Sequence, residues 1–246
     1  RAYTGENMLL NMGPQHPSTH GVLRLLLELN GEEVVNCLPD IGYLHTGIEK
    51  NMEIKTYEKA LVMTDRIDYL NNLGNNLVYC LAIEKLGQID VPPRAQYLRV
   101  LVTELQRIAS HLVWLGTHIL DLGATSLFLY TFREREYILD IFEEISGLWY
   151  DVTDNFVPMV RRFLWYMPRK IDDYARILNE NQIFLERTRG IAVVPPEKAI
   201  EWSLSGPMLR GSGINYDIRK AMPYSSYDHF EFDIPTGENG DVYDRY

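Results

Sequence analysis

The chain has 246 residues, 46% of them hydrophobic, and a net charge of −10, enough for one large domain or two modest ones with a real core. Its acidic balance (pI about 5.1) and lack of any Lys/Arg block exclude a nucleic-acid binder, and apolar runs such as Leu25-Leu26-Leu27 are far too short to span a membrane. No secretory or organellar leader opens it, and two cysteines, Cys37 and Cys80, are too few for a disulfide framework or a four-thiolate cluster; the expectation is a soluble-type chain of a reducing compartment.

Residues 8–12 are a candidate strand. They lead into Gly13-Pro14-Gln15-His16-Pro17-Ser18-Thr19-His20-Gly21, whose glycines and prolines forbid helix and leave few ladder donors. Histidine titrates nearest neutrality, so two on one loop point to proton handling or ligand contact, against the plainer reading of a solvated surface turn. Residues 22–29 and 32–38 read as strands around Asn30-Gly31, a pair that favours a two-residue type I′ hairpin.

From Gly47 onward the apolar period becomes helical. One helix is expected over residues 68–86, closed by Gly87. After Pro92-Pro93 a longer one keeps Leu98, Leu101, Val102, Leu105, Ile108, Ala109, Leu112 and Leu115 on one face, with Gly116 and Gly123 as candidate breaks. Another runs from about 125 to 146 and ends at Gly147. Pro195-Pro196 starts a short helix, and residues 230–232 (Phe-Glu-Phe) are a possible short strand. The fold class is α+β: a small N-terminal antiparallel sheet packed beside a mainly helical bundle. We divide it into a sheet region with its histidine loop (1–46), a helical bundle (47–190) and a Gly- and aromatic-rich segment (191–246), together one domain.

Several chemistries are excluded. His16 and His20 are four apart, but Pro17 breaks the helix that would align them, and no His-Glu-x-x-His pattern is present. His111 and His118 on the long helix read as packed or hydrogen-bonded histidines, so no protein-ligated metal is expected. Gly211-Ser212-Gly213 lies in neither phosphate-loop pattern, and no nucleophile elbow accompanies the serines. Arg133-Glu134-Arg135-Glu136 reads as a solvated or interface-facing helix. Asp121, near Gly123, and Tyr69 remain. Alone, each has an ordinary reading, as a solvated carboxylate and a core aromatic with a wet hydroxyl.

Longer motifs decide between these readings. The histidine loop, Gly42-Tyr43-Leu44-His45-Thr46-Gly47-Ile48-Glu49-Lys50, Arg66-Ile67-Asp68-Tyr69 and Phe132-Arg133-Glu134-Arg135-Glu136 occur in this order. Ser205-Gly206-Pro207-Met208-Leu209-Arg210-Gly211-Ser212-Gly213 and Tyr216-Asp217-Ile218-Arg219-Lys220 complete the series. Together they resemble the D-subunit family of proton-pumping NADH–quinone oxidoreductases (respiratory complex I) across nearly the whole chain. That family is similar to the large subunit of nickel–iron hydrogenases, whose metal-holding C-x-x-C pair falls at Asp68 and Asn71 here. Neither is a thiolate, so the resemblance implies a metal cavity turned into a quinone pocket.

By that likeness, His20 and Tyr69 are the hydrogen-bond donors to the quinone headgroup, Asp121 is the partner of His20, and His16, Pro17, Ser18 and Thr19 form the pocket loop. The likeness also implies a hydrogenase-large-subunit type of fold and a role in reducing quinone to quinol in the peripheral arm. No cofactor would be ligated by this chain. Electrons would come from a 4Fe–4S cluster in a neighbouring subunit, and the other partners would be further peripheral-arm and membrane-arm subunits. The expected location is the cytoplasmic face of a bacterial inner membrane, as a peripheral component. The alternatives are a non-catalytic scaffold of such a complex, or the equivalent subunit of a ferredoxin-fed relative. Two departures stand out: an Asn-Tyr-x-Arg-x-Gly-Gly stretch expected after Gly147 is absent, and the chain ends before the family's further helices. The intact flanking motifs argue against a deletion in the natural protein.

Overall fold

The computed structural model describes residues 7–16, 21–145 and 151–246, which form two compact units, Arg1–Met63 and Thr64–Tyr246. The first holds an antiparallel sheet of β1 (Met8–Met12), β2 (Arg24–Asn30) and β3 (Glu33–Asp40), in the order β1-β2-β3, followed by helices α1 (Ile48–Glu53) and α2 (Tyr57–Thr64), whose last residue opens the second unit. β1 pairs from Met8 with Leu29 to Met12 with Leu25, as the apolar run before the histidine loop suggests.

The hairpin is present, but one residue out of the expected register. Asn30 pairs with Glu33, so the turn residues are Gly31 and Glu32 rather than Asn30 and Gly31. Gly31 supplies the positive φ (63°). Leu29 pairs with Val34 and Glu28 with Asn36, so Val35 is an extra residue on β3 that bulges the ladder and absorbs the shift.

The second unit is helical: α3 (Asn72–Gly87), α4 (Pro93–Asp121), α5 (Thr125–Glu143), α6 (Phe156–Asn179) and α7 (Gln182–Thr188), then the short α8 (Pro196–Glu201), α9 (Gly206–Arg210), α10 (Ile218–Ala221) and α11 (Val242–Arg245). The described residues are thus α+β, with a three-stranded antiparallel sheet at the N-terminal end and helices beyond it.

The core follows from helical spacing. α4 contributes Leu105, Ala109, Leu112 and Ile119; α5 contributes Leu127, Ile138 and Ile141; α6 contributes Phe156, Val160, Phe163, Met167, Tyr174 and Leu178. Within each helix these recur at the three- and four-residue steps that align side chains on one face. Gly116 does not break α4. It is buried there, and a Cβ in its place would overlap the Thr131 hydroxyl of α5, so this glycine sets the approach of the two helices. Gly123 does end the run, with φ 96° just past the helix. Gly147, the expected stop of α5, lies outside the described residues.

α3 ends at Gly87 as expected, followed by Gln88 in the left-handed conformation (φ 52°). Two other expectations are corrected. α3 starts four residues later than position 68, because residues 68–71 form a turn closed by their own hydrogen bonds. Residues 230–232 are not a strand. Phe230 packs edge-on to Tyr97 and Phe232 lies under the Arg219 guanidinium, so these aromatics serve packing without a ladder partner.

Candidate functional site

Tyr69 sits in the turn that precedes α3, with 54% of its surface exposed. Among the described residues nothing bonds its hydroxyl, so the ring is placed by its backbone. That backbone is tied down closely. The Asp68 carboxylate accepts from Leu70 N–H (3.2 Å), while the Asp68 carbonyl accepts from Asn71 N–H (3.0 Å) and from the Asn75 amide (2.9 Å). The Asn71 side chain folds over Gly74, where any Cβ would lie 2.5 Å from its amide nitrogen. From the next helix, Gln106 donates its amide to the Leu70 carbonyl at 2.8 Å. Asp68 and Asn71 thus belong to a hydrogen-bonded turn.

Asp121 is the last residue of α4, exposed, just before the left-handed Gly123. It lies fifteen residues beyond Gln106 on one continuous helix, roughly 22 Å along the axis at 1.5 Å per residue. Along α4, Asp121 is thus about four turns from the residue that bonds the Tyr69 turn. A carboxylate at a helix C-terminus opposes the helix dipole.

Of the histidine loop, Pro17, Ser18, Thr19 and His20 lie outside the described residues. Its two flanks are defined: His16 is exposed and bridges to Gly21 in antiparallel fashion, which brings the ends of the loop together. Gly13 (φ 84°) abuts the Leu23 carbonyl, which a Cβ would overlap, so only glycine fits the start of the loop.

Two further motifs have structural explanations that local sequence hides. Glu134 is fully buried on α5, not solvated, because helical spacing aligns it with Leu127, Thr131, Ile138 and Ile141. Its Oε1 accepts from the Tyr174 hydroxyl (2.7 Å) and from Arg133 (2.5 Å), and burial followed by this carboxylate pushes the Tyr174 phenol well above its ordinary pKa. The Tyr216–Lys220 motif docks on α4: Arg219 pairs with Asp217 (2.6 Å) and with Glu104 (2.9 Å), which also accepts from the Tyr227 hydroxyl (2.5 Å). Arg219 holds the Asp217 carboxyl at about 2. Ser212, between Gly211 and Gly213, donates to the Val194 carbonyl (2.8 Å) and accepts from Arg245 (2.9 Å), so this glycine-flanked turn is a packing joint.

Cys37 is exposed and Cys80 partly buried, and among the described residues no three His, Cys, Asp or Glu side chains converge as metal ligands. His118 stacks on Trp114 with rings 10° from parallel. No described helix is long and apolar enough to cross a membrane.

Residues 121–246 match the family model of the respiratory-chain NADH dehydrogenase, 49 Kd subunit. The chain belongs to that family. Similar relatives extend the match to the rest of the sequence. The D 2 subunit of the NADH-quinone oxidoreductase of Chloroflexus aurantiacus is 60% identical over 253 aligned residues, covering 98% of this chain and 62% of the relative. The D 1 subunit of the Solibacter usitatus NADH-quinone oxidoreductase is 52% identical over the same shares. NADH-quinone oxidoreductase subunit 4 of Thermus thermophilus is 53% identical, again with 98% of this chain and 62% of the relative covered. The chain thus spans about three-fifths of the length of the curated relatives it matches. As a member of the 49 Kd family, it carries the ordered motifs on both units: the histidine loop on the first, and those of Tyr69 and the Arg219 joint on the second.

Proposed function

We propose that this chain belongs to the quinone-reducing end of a membrane-associated, proton-translocating NADH–quinone oxidoreductase, and that Tyr69 and His20 hold the quinone headgroup. The observation that carries this reading is the setting of Tyr69: an exposed phenol, free of core packing, on a turn that backbone and side-chain bonds from two helices hold in place. An exposed tyrosine on so constrained a turn is suited to presenting its hydroxyl to a ligand. The names of the relatives supply the substrate class.

Reduction of a quinone to its quinol takes two electrons and two protons, and the negative charge that builds on the carbonyl oxygens needs donors close by. A phenol of pKa about 10 and an imidazole of pKa about 6.5 are suitable sources. Asp121 is the partner of His20 in this reading: a carboxylate favours the imidazolium and fixes which ring nitrogen faces the substrate. The loop residues His16, Pro17, Ser18 and Thr19 shape the pocket mouth. Electrons come from a 4Fe–4S cluster held by a neighbouring peripheral-arm subunit, and contact with the membrane runs through membrane-arm subunits on the cytoplasmic face.

The test is Tyr69→Phe in the assembled complex, with electron flow to quinone measured against flow to a soluble artificial acceptor. Loss of quinone reduction with the artificial acceptor still served supports the reading. Survival of both activities overturns the headgroup assignment and leaves the chain a scaffold.

A further inference from the structure

We infer that Gln106, in the middle of α4, is a positioning residue for Tyr69. The inference rests on the reading that Tyr69 faces the quinone, and it adds how the protein fixes that phenol in space.

Gln106 is a polar residue with only 6% of its surface exposed, among Leu105, Ala109 and Leu112 on the core side of α4. Burying an amide costs free energy unless it finds partners. Its Nε2 finds one in the carbonyl of Leu70, the residue next to Tyr69, at 2.8 Å and across 36 residues of chain. The other bonds of the turn are local: they join residues 68–71 to one another and to the first turn of α3 through Asn75. They fix the shape of the turn and tie it to α3, which is held to α4 near its other end by the Arg99–Glu84 pair. Gln106 gives the turn its own, direct station on the long helix.

The tyrosine itself cannot supply it. More than half of Tyr69 is exposed, and among the described residues its hydroxyl has no bond. A phenol without side-chain anchors moves with its peptide backbone. Displacement of a reacting group by about 1 Å is enough to lower a rate by orders of magnitude. A buried glutamine spent on the adjacent carbonyl is a device against that displacement. Glutamine suits this position because its amide can donate. A carboxylate there would face a carbonyl oxygen with no proton to give, and a methionine of similar length has no donor at all.

The experiment uses the assembled complex with Gln106→Met, Tyr69→Phe and the double variant, each read as quinone reduction relative to flow into a soluble artificial acceptor. Loss of one hydrogen bond predicts a fall in that ratio of about three- to tenfold for Gln106→Met. The double variant is expected to match Tyr69→Phe alone, because a residue acting through Tyr69 has nothing left to act on. Gln106→Glu gives a second reading that does not depend on Met being tolerated. Its ratio should be low at pH 8 and recover as the pH falls and the carboxyl gains a proton to donate, while the Gln106→Met ratio stays flat. If Tyr69→Phe lowers the ratio and Gln106→Met does not, or if the two losses multiply in the double variant, the positioning role is overturned and the quinone reading stands. If Tyr69→Phe leaves the ratio unchanged, the quinone reading itself falls, and this inference with it.

Discussion

The hydroxyl of Tyr174 on α6 donates to Oε1 of Glu134 on α5 across 2.7 Å, and the glutamate has no exposed surface. A carboxylate inside the helix–helix contact is tolerated because Tyr174 and Arg133 satisfy one of its oxygens. Glu134→Ala would leave the Tyr174 hydroxyl buried without its acceptor and open a void. We expect a loss of about 3 kcal/mol of stability, measured by chemical denaturation. Tyr174→Phe, which keeps the ring volume, should cost less than Glu134→Ala. Equal losses would mean that the hydrogen bond, and not the void, accounts for the cost of Glu134→Ala.

Gly116 sets the spacing of α4 and α5. Alanine is the better helix former by roughly 1 kcal/mol, so an isolated-helix argument predicts that Gly116→Ala stabilises. The overlap with the Thr131 hydroxyl predicts the opposite, a net loss of about 1–3 kcal/mol. Thr131→Ala in the same chain should recover much of it. Thermal melts of the two single variants and the pair decide the matter. A more stable Gly116→Ala would show that the helices can part at little cost.

The Arg219–Asp217 pair should write an acid limb into the stability curve. Asp217 titrates at about 2 in the folded chain against 3.8 for the ordinary residue, with the Arg219 hydrogen bond as the main depressing cause. A lowered folded pKa contributes stability that is present above about pH 4 and is lost as the pH falls through about 2. The shift corresponds to about 2 kcal/mol. Asp217→Asn should therefore be less stable than the parent above pH 4, with the gap closing toward pH 2. A gap independent of pH would point to lost packing rather than lost charge.

Gly74 gives a probe of the Tyr69 turn that leaves Gln106 untouched. Any Cβ at Gly74 would sit 2.5 Å from the Asn71 amide, which must then swing away from the turn. Gly74→Ala is expected to reduce quinone turnover severalfold, while the helical unit, which gains helix propensity, keeps its melting temperature within a few degrees. Unchanged turnover would show that Asn71 can move without carrying Tyr69 with it.

The parts of the fold that depend on short-range rules are readable from sequence. The strands, the long α4 behind Pro92-Pro93 and the helical stop at Gly123 follow from apolar period and backbone chemistry within a few residues. Gly116 reads as a stop because its actual role depends on Thr131, fifteen residues away on another helix. Glu134 reads as solvated because it belongs to a charged run, and only its position on the helical wheel sets it inside. Gln106 gives no signal: a glutamine in an amphipathic helix is ordinary, and its acceptor is a main-chain oxygen 36 residues away. Tyr69 stands out through the ordered motifs and Asp121 through the family likeness they carry, neither through any local pattern.

The sheet carries a consequence for the life of the protein before assembly. β1 and β3 are both edges, every residue of β3 is exposed, and Val34 and Leu38 are each more than half open to solvent. Unpaired strand edges with apolar side chains invite other chains to add on. A preparation of the chain by itself is therefore expected to associate through these two strands, increasingly so as its concentration rises.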